Sequence, residues 1–407
     1  MNVLHINQSD IGGGAAIAGY RLHQGLLDQG IDSRLLVETV KTSSDRVAVV
    51  PHTRRHIENQ LYRFTWGFGL NYINKISSFD IPKHSFYKQA DVLNFHNLHS
   101  DYFNYLAIPS LTESKPAICT LHDMWSFTGH CAYSFDCDRW KIGCGQCPYP
   151  DIYPAVSKDN THLEWKLKNW VYSRSNLTIV TPSKWLAEQA KQSMLNCFPI
   201  HYIPYGIDTQ AYQPIDTKQC RLILDIPPNK KVLMFGADNL KNDRKGGDLL
   251  LKVLQSLPES LKAEILLLTI GSSSETISDL VGMSNLNLGY ISSDRLKSIA
   301  YSAADLFIFP TRADNLPLVL QESMACGTPM VSFKIGGVPD LVRPGITGYL
   351  AQPEDVEDFC NGIIQLLEDG EERDRMGQNC RAIALEEYPL EVQAQRYIEL
   401  YSQLLQN

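Results

Sequence analysis

The chain has 407 residues, too many for a single hydrophobic core, and its length predicts two domains. Its composition, 44% hydrophobic and 20% charged, is that of an ordinary globular protein, and the net charge of −8 argues against a nucleic-acid partner. No apolar run approaches the roughly 18 residues of a membrane-spanning helix. Because residues 1–6 lack the basic start of a signal peptide, we expect a cytoplasmic location.

The first predicted strand runs into a glycine-rich loop and then a helix. Gly12, Gly13 and Gly14 let the backbone approach a ligand closely, and the helix start offers N–H groups to it. Gly12 and Gly14 also fit a dinucleotide-binding motif, but Ile17 occupies its third glycine position. Since Glu38 could serve as the ribose-binding acid of that motif, a nicotinamide-dependent dehydrogenase is an alternative.

Residues 43–87 carry few strand signals and many aromatic and basic side chains. The pattern predicts an amphipathic cover over the first sheet. The alternative is a surface that makes peripheral contact with the inner face of the membrane. The residues concerned are Arg54, Arg55, Tyr62, Phe64, Trp66 and Phe68.

Two further predicted strands end in histidines. The strand at 91–95 is followed by His96, and the strand at 118–121 is followed by His122 and Asp123. The carboxyl ends of parallel strands share one edge of a sheet, which is where α/β proteins bind ligands. We therefore expect these side chains to belong to a ligand site on the same edge as the glycine loop.

Four of the ten cysteines crowd into one segment, as Cys131, Cys137, Cys144 and Cys147. In a reducing compartment such clustering favours metal ligation over disulfides. The two-residue gap between Cys144 and Cys147 lets both thiolates reach one Zn²⁺, and His130 is a substitute ligand. The segment predicts a structural zinc site, with thiols that only pack or pair as disulfides as the alternative. A catalytic metal is not expected, because four thiolates leave no open position.

A second sheet is predicted to begin with the strand at 231–236. The loop after it carries Arg244 and Lys245 just ahead of a helix, a place where two cations suit a diphosphate. The next strand is followed by Gly271 and Ser272 at the same edge.

The most informative stretch is PTRADNLPLVLQESMACGTP, residues 310–329, which follows an apolar strand. Asp314 lies in the loop after that strand, and Glu322 lies eight residues later inside a predicted helix. The amides at the start of this helix suit a diphosphate or a group of sugar hydroxyls. They belong to Asn315, Leu316 and Leu318.

This stretch resembles the signature of the retaining GT-B glycosyltransferases of glycosyltransferase family 4, which have an acid, seven residues, a Glu and then Ala-Met/Leu-Ala-Cys/Ser-Gly-Thr-Pro. Asp314, Glu322 and residues 324–329 match it, although the first acid is usually Glu. Residues 120–123 resemble the family's Thr-Leu/Val-His-Asp motif. Residues 122–148 resemble a subgroup with a cysteine-rich insertion, which often serves bacterial exopolysaccharide synthesis.

The resemblance implies an α/β protein of the GT-B class, with two Rossmann-like domains facing each other across a cleft. The acceptor-binding domain would span residues 1–208, with the cysteine-rich insertion at 130–148. The nucleotide-sugar-binding domain would span residues 209–388. Residues 389–407 would form a helix that crosses back to the first domain.

The resemblance also implies the reaction, which is transfer of a sugar from a nucleotide diphospho-sugar donor to a hydroxyl acceptor with retention of configuration. The acceptor would be a glycan or a lipid-linked saccharide, and catalysis would require no cofactor. A GT-B-fold epimerase would need an additional acid and base near the sugar carbon, which the sequence does not offer. A binding module would hold the donor without transfer. The nucleotide base, the sugar and the oligomeric state are not encoded in a readable way.

The family's residue roles map onto both predicted domains. Glu322 would bind the ribose, Asp314 the donor sugar, and Arg244 with Lys245 the leaving diphosphate. The family's Arg normally follows the strand's glycine, where this chain has Ala237, so Arg244 would act from a different place. Gly271 and the helix-start amides would complete the donor site.

In the first domain, Gly13 and Gly14 match the family's glycine loop. His122 would make a positioning hydrogen bond beside the reacting sugar rather than act as a base. Asp123 would orient His122 or cap the next turn. His96 would lie on the acceptor side.

Overall fold

The computed structural model describes residues 1–236, 243–271 and 282–406. The chain divides into two compact units, one formed by Met1–Gly206 with Leu390–Asn407 and the other by Ile207–Pro389. Each unit contains a parallel β-sheet flanked by helices. The predicted α/β class with two Rossmann-like domains is therefore confirmed. Among the helices of the described segments, none combines the length and apolar character needed to span a bilayer.

The first unit has a parallel sheet in the order β3-β2-β1-β4-β5-β6-β7. Its strands are β1 (Asn2–Ser9), β2 (Asp32–Thr39), β3 (Val47–Val49), β4 (Val92–Phe95), β5 (Ala117–Thr120), β6 (Leu177–Thr181) and β7 (Ile200–Tyr202). Its first helices are α1 (Gly14–Asp28), α2 (Arg55–Gly67), α3 (Ser85–Gln89), α4 (Ile108–Thr112), α5 (Thr161–Tyr172) and α6 (Lys184–Lys191).

The second unit has a parallel sheet in the order β10-β9-β8-β11-β12-β13. Its strands are β8 (Lys231–Gly236), β9 (Ile265–Ile270), β10 (Ser284–Asn287), β11 (Leu306–Phe309), β12 (Met330–Phe333) and β13 (Gly348–Ala351). The helices are α7 (Thr217–Ile223), α8 (Gly247–Ser256), α9 (Glu259–Glu264), α10 (Asp294–Ala303), α11 (Leu318–Ala325), α12 (Val338–Leu341), α13 (Val356–Glu368) and α14 (Gly370–Glu387).

The last helix, α15 (Leu390–Gln406), belongs to the first unit. It lies against α1, where Gly25 permits the approach, since a Cβ there would stand 3.2 Å from the Leu390 carbonyl oxygen. The helix is also joined to the sheet through its tyrosines, because Asn94 donates to the Tyr401 hydroxyl at 2.9 Å. A helix from the end of the chain thus covers the face of the first sheet.

The polar loops of both units follow the carboxyl ends of buried parallel strands. The central strands β4, β5 and β11 are buried along their whole length, so their residues are mostly apolar. Asn94 in β4 and Thr120 in β5 are polar exceptions, and the two side chains hydrogen-bond to each other. In each sheet all strands run the same way, so these polar loops collect at one edge. His96 and His122 follow β4 and β5, while Asp314 follows β11.

Candidate active site

Three charged side chains converge at the carboxyl edge of the second sheet. The Asp314 carboxylate accepts hydrogen bonds from Lys245 Nζ at 2.8 Å and from Arg244 Nη1 at 3.0 Å, both on the same oxygen. Burial alone would raise the pKa of Asp314, but the charges of Lys245 and Arg244 hold it below its ordinary value. The aspartate is therefore ionised at neutral pH, and the trio carries a net charge of about +1.

The backbone around residues 243–246 holds this trio in place. Gly246 has φ +67°, and a Cβ on it would stand 1.8 Å from the Pro310 carbonyl oxygen, so the loop after β8 lies directly on the end of β11. Thr311 donates its hydroxyl hydrogen to the Arg244 carbonyl at 2.9 Å, and the Arg312 amide donates to the same carbonyl at 2.9 Å. The cations are thus fixed relative to Asp314 by main-chain contacts.

The other donor-side residues are distributed around α11. Glu322 is 5% exposed and accepts a hydrogen bond from the Tyr301 hydroxyl at 3.2 Å. Tyr301 lies in α10 and was not identified from the sequence, which gave no signal for it. Asn315 and Leu316 are buried beside the start of α11, and Leu318 is its first residue.

Gly271, which was predicted to belong to the donor site, donates its amide hydrogen to the Gly289 carbonyl at 2.8 Å. This contact continues the pairing of β9 with β10 by one step and occupies the Gly271 N–H. Ala237 and Ser272, which adjoin the predicted donor loops, lie outside the described residues.

In the first unit, four side chains form a continuous hydrogen-bonded series that leads to the carboxyl edge of the first sheet. His5 Nδ1 lies 2.9 Å from His96 Nε2, and His96 Nδ1 lies 2.9 Å from His122 Nε2. His122 Nδ1 lies 2.6 Å from the Tyr205 hydroxyl. His5 comes from β1 and Tyr205 from the loop after β7, so the sheet brings together residues up to 200 positions apart.

The three histidines of this hydrogen-bonded series are neutral at pH 7. Burial lowers the pKa of His5 to about 3 and that of His122 to about 4. Burial, together with the two neighbouring rings, also lowers the pKa of His96 well below its ordinary value. A neutral ring has one N–H, so all the hydrogen bonds of the series run in one direction.

The buried His5 end of this hydrogen-bonded series decides in which direction the hydrogen bonds run. His5 Nε2 is buried and has no hydrogen-bond partner among the residues that the structure describes. A proton there would be an orphaned buried N–H, which is rarer in proteins than an unused acceptor. The protons therefore lie on Nδ1 of each ring, and His122 Nδ1–H donates to the Tyr205 oxygen. Both nitrogens of His122 are engaged in this arrangement, one by His96 and the other by Tyr205.

Asp123 was predicted to orient His122 or to cap the following turn. It accepts hydrogen bonds from His99 Nε2 at 2.8 Å and from the Trp125 amide at 2.9 Å, so it caps the turn and orients His99. Burial would raise the pKa of Asp123, but His99 lowers it, so this carboxylate is ionised. A small cavity at the ends of β4 and β5 is lined by His96, His99, His122 and Asp123, among other residues.

The glycine loop is shaped by Asp10, which sequence reasoning missed. Its buried carboxylate accepts hydrogen bonds from the amides of Ile11, Lys41 and Thr42. Gly13 has φ +91° at the N-cap of α1, a conformation that a residue with a side chain rarely adopts. Gly14 is the first residue of α1, so the loop presents backbone at the helix N-terminus as expected.

The two halves of the chain match two family models. Residues 12–211 match the model described as Glycosyltransferase Family 4, and residues 221–383 match Glycosyl transferases group 1. Together the matched ranges cover most of the chain and agree with the fold and the charged trio. The chain is therefore a GT-B glycosyltransferase that combines a family 4 first half with a group 1 second half.

Individual proteins are similar to it over nearly their whole length. The putative colanic acid biosynthesis glycosyl transferase WcaC of Escherichia coli K12 is 28% identical over 358 residues, which covers 82% of this chain and 83% of that protein. Sucrose-phosphate synthase of Thermosynechococcus elongatus has a TM-score of 0.72 at 16% identity, covering 99% of both chains. HepE of Anabaena, solved with UDP and glucose, has a TM-score of 0.70 at 17% identity and covers 99% of this chain and 100% of that one.

Proposed function

We propose that this glycosyltransferase transfers a sugar from a nucleotide diphospho-sugar to a hydroxyl of a glycan or lipid-linked saccharide in polysaccharide synthesis, with retention of anomeric configuration. The observation that carries the proposal is the convergence of Arg244 and Lys245 on Asp314 at a strand-end edge. The name of WcaC supports a role in polysaccharide synthesis, and the UDP complex of HepE supports a nucleotide donor.

The charged trio supplies electrostatic stabilisation of the leaving group. When the bond between sugar and diphosphate breaks, negative charge grows on the departing phosphate oxygen. Arg244 and Lys245 are placed to meet that charge, and Asp314 keeps both side chains oriented before the donor arrives. The cations thereby take the role for which other transferases use a divalent metal.

Asp314 and two further groups would hold the donor. Asp314 accepts from a sugar hydroxyl, and the amides beside the start of α11 bind the sugar or the diphosphate. Glu322, oriented by Tyr301, accepts from the ribose hydroxyls. These assignments use carboxylates as acceptors and amides as donors, as hydroxyl and phosphate groups require.

The histidine series of the first unit is suited to positioning and not to proton abstraction. A group whose pKa is about 4 is a weak base at neutral pH. We therefore assign the acceptor's proton to the departing phosphate oxygen, which lies on the face of the sugar from which a retaining transfer takes place. His96 and Asp123, which line the small cavity, are the acceptor-side groups of the proposal. Because both ring nitrogens of His96 are engaged by His5 and His122, His96 shapes this side of the site and Asp123 offers the hydrogen-bond acceptor.

Calorimetry with UDP, GDP, ADP and NAD tests the donor class. We expect one nucleoside diphosphate to bind and NAD not to bind. The matching nucleotide sugar, incubated with lipid-linked saccharide acceptors, should then release nucleotide and give a product whose anomeric configuration, measured by NMR, equals that of the donor. Binding of NAD alone would contradict the transferase, and an inverted product would contradict retention.

A further inference from the structure

The loop between β5 and α5, in the first unit, brings five side chains of metal-ligating types to one small cavity. They are His130, Cys131, Cys137, Cys144 and Cys147. All four cysteines are free thiols, and each lies within electrostatic range of at least two others. Sequence spacing had suggested the cysteines, and the folded loop gathers them with the histidine.

His130 is oriented as a metal-ligating histidine is. Its Nδ1 lies 2.7 Å from the Pro154 carbonyl oxygen, which can only accept, so Nδ1 carries the ring proton. The lone pair is then on Nε2, which lies 3.2 Å from Cys147 Sγ. Histidines that bind metals characteristically donate their other N–H to a carbonyl or carboxylate, and this contact fixes the tautomer.

The backbone around Cys144 and Cys147 is tightly curled. Cys144 has φ 52° and Gln146 has φ 48°, both in the left-handed region that residues with side chains rarely adopt. The curl is held from outside, because Thr161 accepts from the Gly145 amide at 3.0 Å. In this conformation the Gly129 amide donates to Cys144 Sγ at 3.2 Å, a contact that stabilises a thiolate.

A buried cation stands beside the thiols. Lys168 on α5 is 1% exposed, and its Nζ donates to the carbonyls of Trp125 at 2.7 Å and Thr128 at 3.0 Å. It lies within electrostatic range of Glu164 and also of Cys144 and Cys131. A zinc ion with three thiolates and one neutral histidine carries a net charge of about −1, and this ammonium group, which it shares with Glu164, stabilises that charge.

We propose that His130, Cys137, Cys144 and Cys147 bind one structural Zn²⁺. Cys131 is left out because it adjoins His130 in the chain, and its backbone is held separately by the Thr128 hydroxyl, which donates to the Cys131 carbonyl at 2.6 Å. Within the described ranges, no three such side chains already stand as a metal-holding group. Binding therefore draws the three sulfurs to about 2.3 Å from the metal and releases three S–H protons to solvent.

The zinc would order a loop that reaches the other cavity of the first unit, which is lined by His96, His99 and Asp123. The Tyr153 hydroxyl contacts His99 Nδ1 at 3.2 Å, and His99 in turn contacts Asp123. The Met124 amide donates to the Ala132 carbonyl at 2.9 Å, which ties the start of the loop to the residue after Cys131. With four protein ligands the metal has no open position, so its role is structural.

The test is the zinc content of purified full-length chains, reloaded with Zn²⁺ in reducing buffer and measured by mass spectrometry. We expect about one zinc per chain for the unmodified protein, and less than about half of that for C137S, C144S, C147S and H130A. Two matched controls, C131S and the exposed C197S, should keep the full content. Chelation should lower the Tm of the unmodified protein, and added Zn²⁺ should restore it.

A second measurement avoids any dependence on variant folding. Chelation of the zinc-loaded, unmodified protein should expose three additional thiols to a thiol reagent. No bound zinc, or a disulfide among the four cysteines in the reduced protein, would overturn the proposal. Loss of zinc in C131S with retention in H130A would overturn the assigned ligand set.

Discussion

At Asp314, one carboxylate oxygen holds two cations that are 69 and 70 residues away in the chain. Each interaction is partly buried, so it is screened less than a surface ion pair. Removing either cation leaves the carboxylate with a single cationic partner beside the Asn315 amide, and the two cations are not equivalent. Arg244 additionally donates to the Ala313 carbonyl at 2.8 Å.

Replacement of Lys245 by methionine should lower turnover more than donor affinity. The interaction of the ammonium group grows as charge develops on the leaving phosphate, so it stabilises the transition state more than the bound donor. We expect kcat to fall by about 10²- to 10³-fold with a much smaller change in donor Kd. The exposed Lys218→Met substitution is the matched control, and equal losses in kcat and affinity would refute the assigned role.

Among the structural elements, the short turn at Asp243–Lys245 matters most, because it is pressed onto the end of β11. Gly246 makes that approach possible, since it has a left-handed φ and no side chain. The salt bridge from Arg312 to Asp248 adds a second connection between the two loops. The position of the cations is thus a property of the β8 and β11 loops together.

Gly246→Ala and Gly345→Ala form a matched pair that separates backbone strain from close approach. Both glycines have φ near +70°, but a Cβ on Gly345 meets nothing within 4 Å. Each alanine should cost about 1–2 kcal/mol of unfolding free energy from the left-handed conformation. Only Gly246→Ala should also displace the cations and lower kcat/KM, by about tenfold or more. Urea unfolding and steady-state kinetics would check this, and equal effects of the two substitutions on kcat/KM would be inconsistent with it.

At the scale of the whole molecule, the first unit contains buried, neutral histidines in and beside its sheet. His5, His23, His96 and His122 all have pKa values lowered by burial. In the unfolded chain their pKa values are close to 6.5. At pH values between the folded-state and unfolded-state pKa values, the unfolded state binds more protons than the folded state. The contribution of these histidines to the free energy of unfolding is therefore complete above pH 6.5 and is lost as the pH falls toward about 4.

Acidification from pH 7 to pH 5 should therefore destabilise the protein by about 2 kcal/mol for each of these histidines. His5→Gln should reduce this loss by about 2 kcal/mol, because the amide does not titrate. The exposed His56→Asn should leave it unchanged. Urea unfolding at the two pH values measures the difference, and an identical pH response of His5→Gln and the unmodified protein would show that His5 is not buried as a neutral ring.

The sequence alone determined the two parallel-sheet domains, because buried strands, turn glycines and helix starts are encoded within short segments. It also placed Asp314, Arg244 and His122 beyond strand ends, since an apolar run followed by polar residues locates such an end without knowledge of the rest of the fold. It identified the cysteine segment for the same reason, since the two-residue spacing of Cys144 and Cys147 is local.

Only the tertiary structure decided which of these residues meet. Asp314 joins Arg244 and Lys245 because β8 and β11 are neighbours in the sheet, and His5 joins His96 because β1 lies beside β4. Strand order depends on how all the elements pack, so no local pattern encodes it. The same reason explains why Tyr205, Lys168 and Asp10 were missed, since each acts on residues distant in the chain.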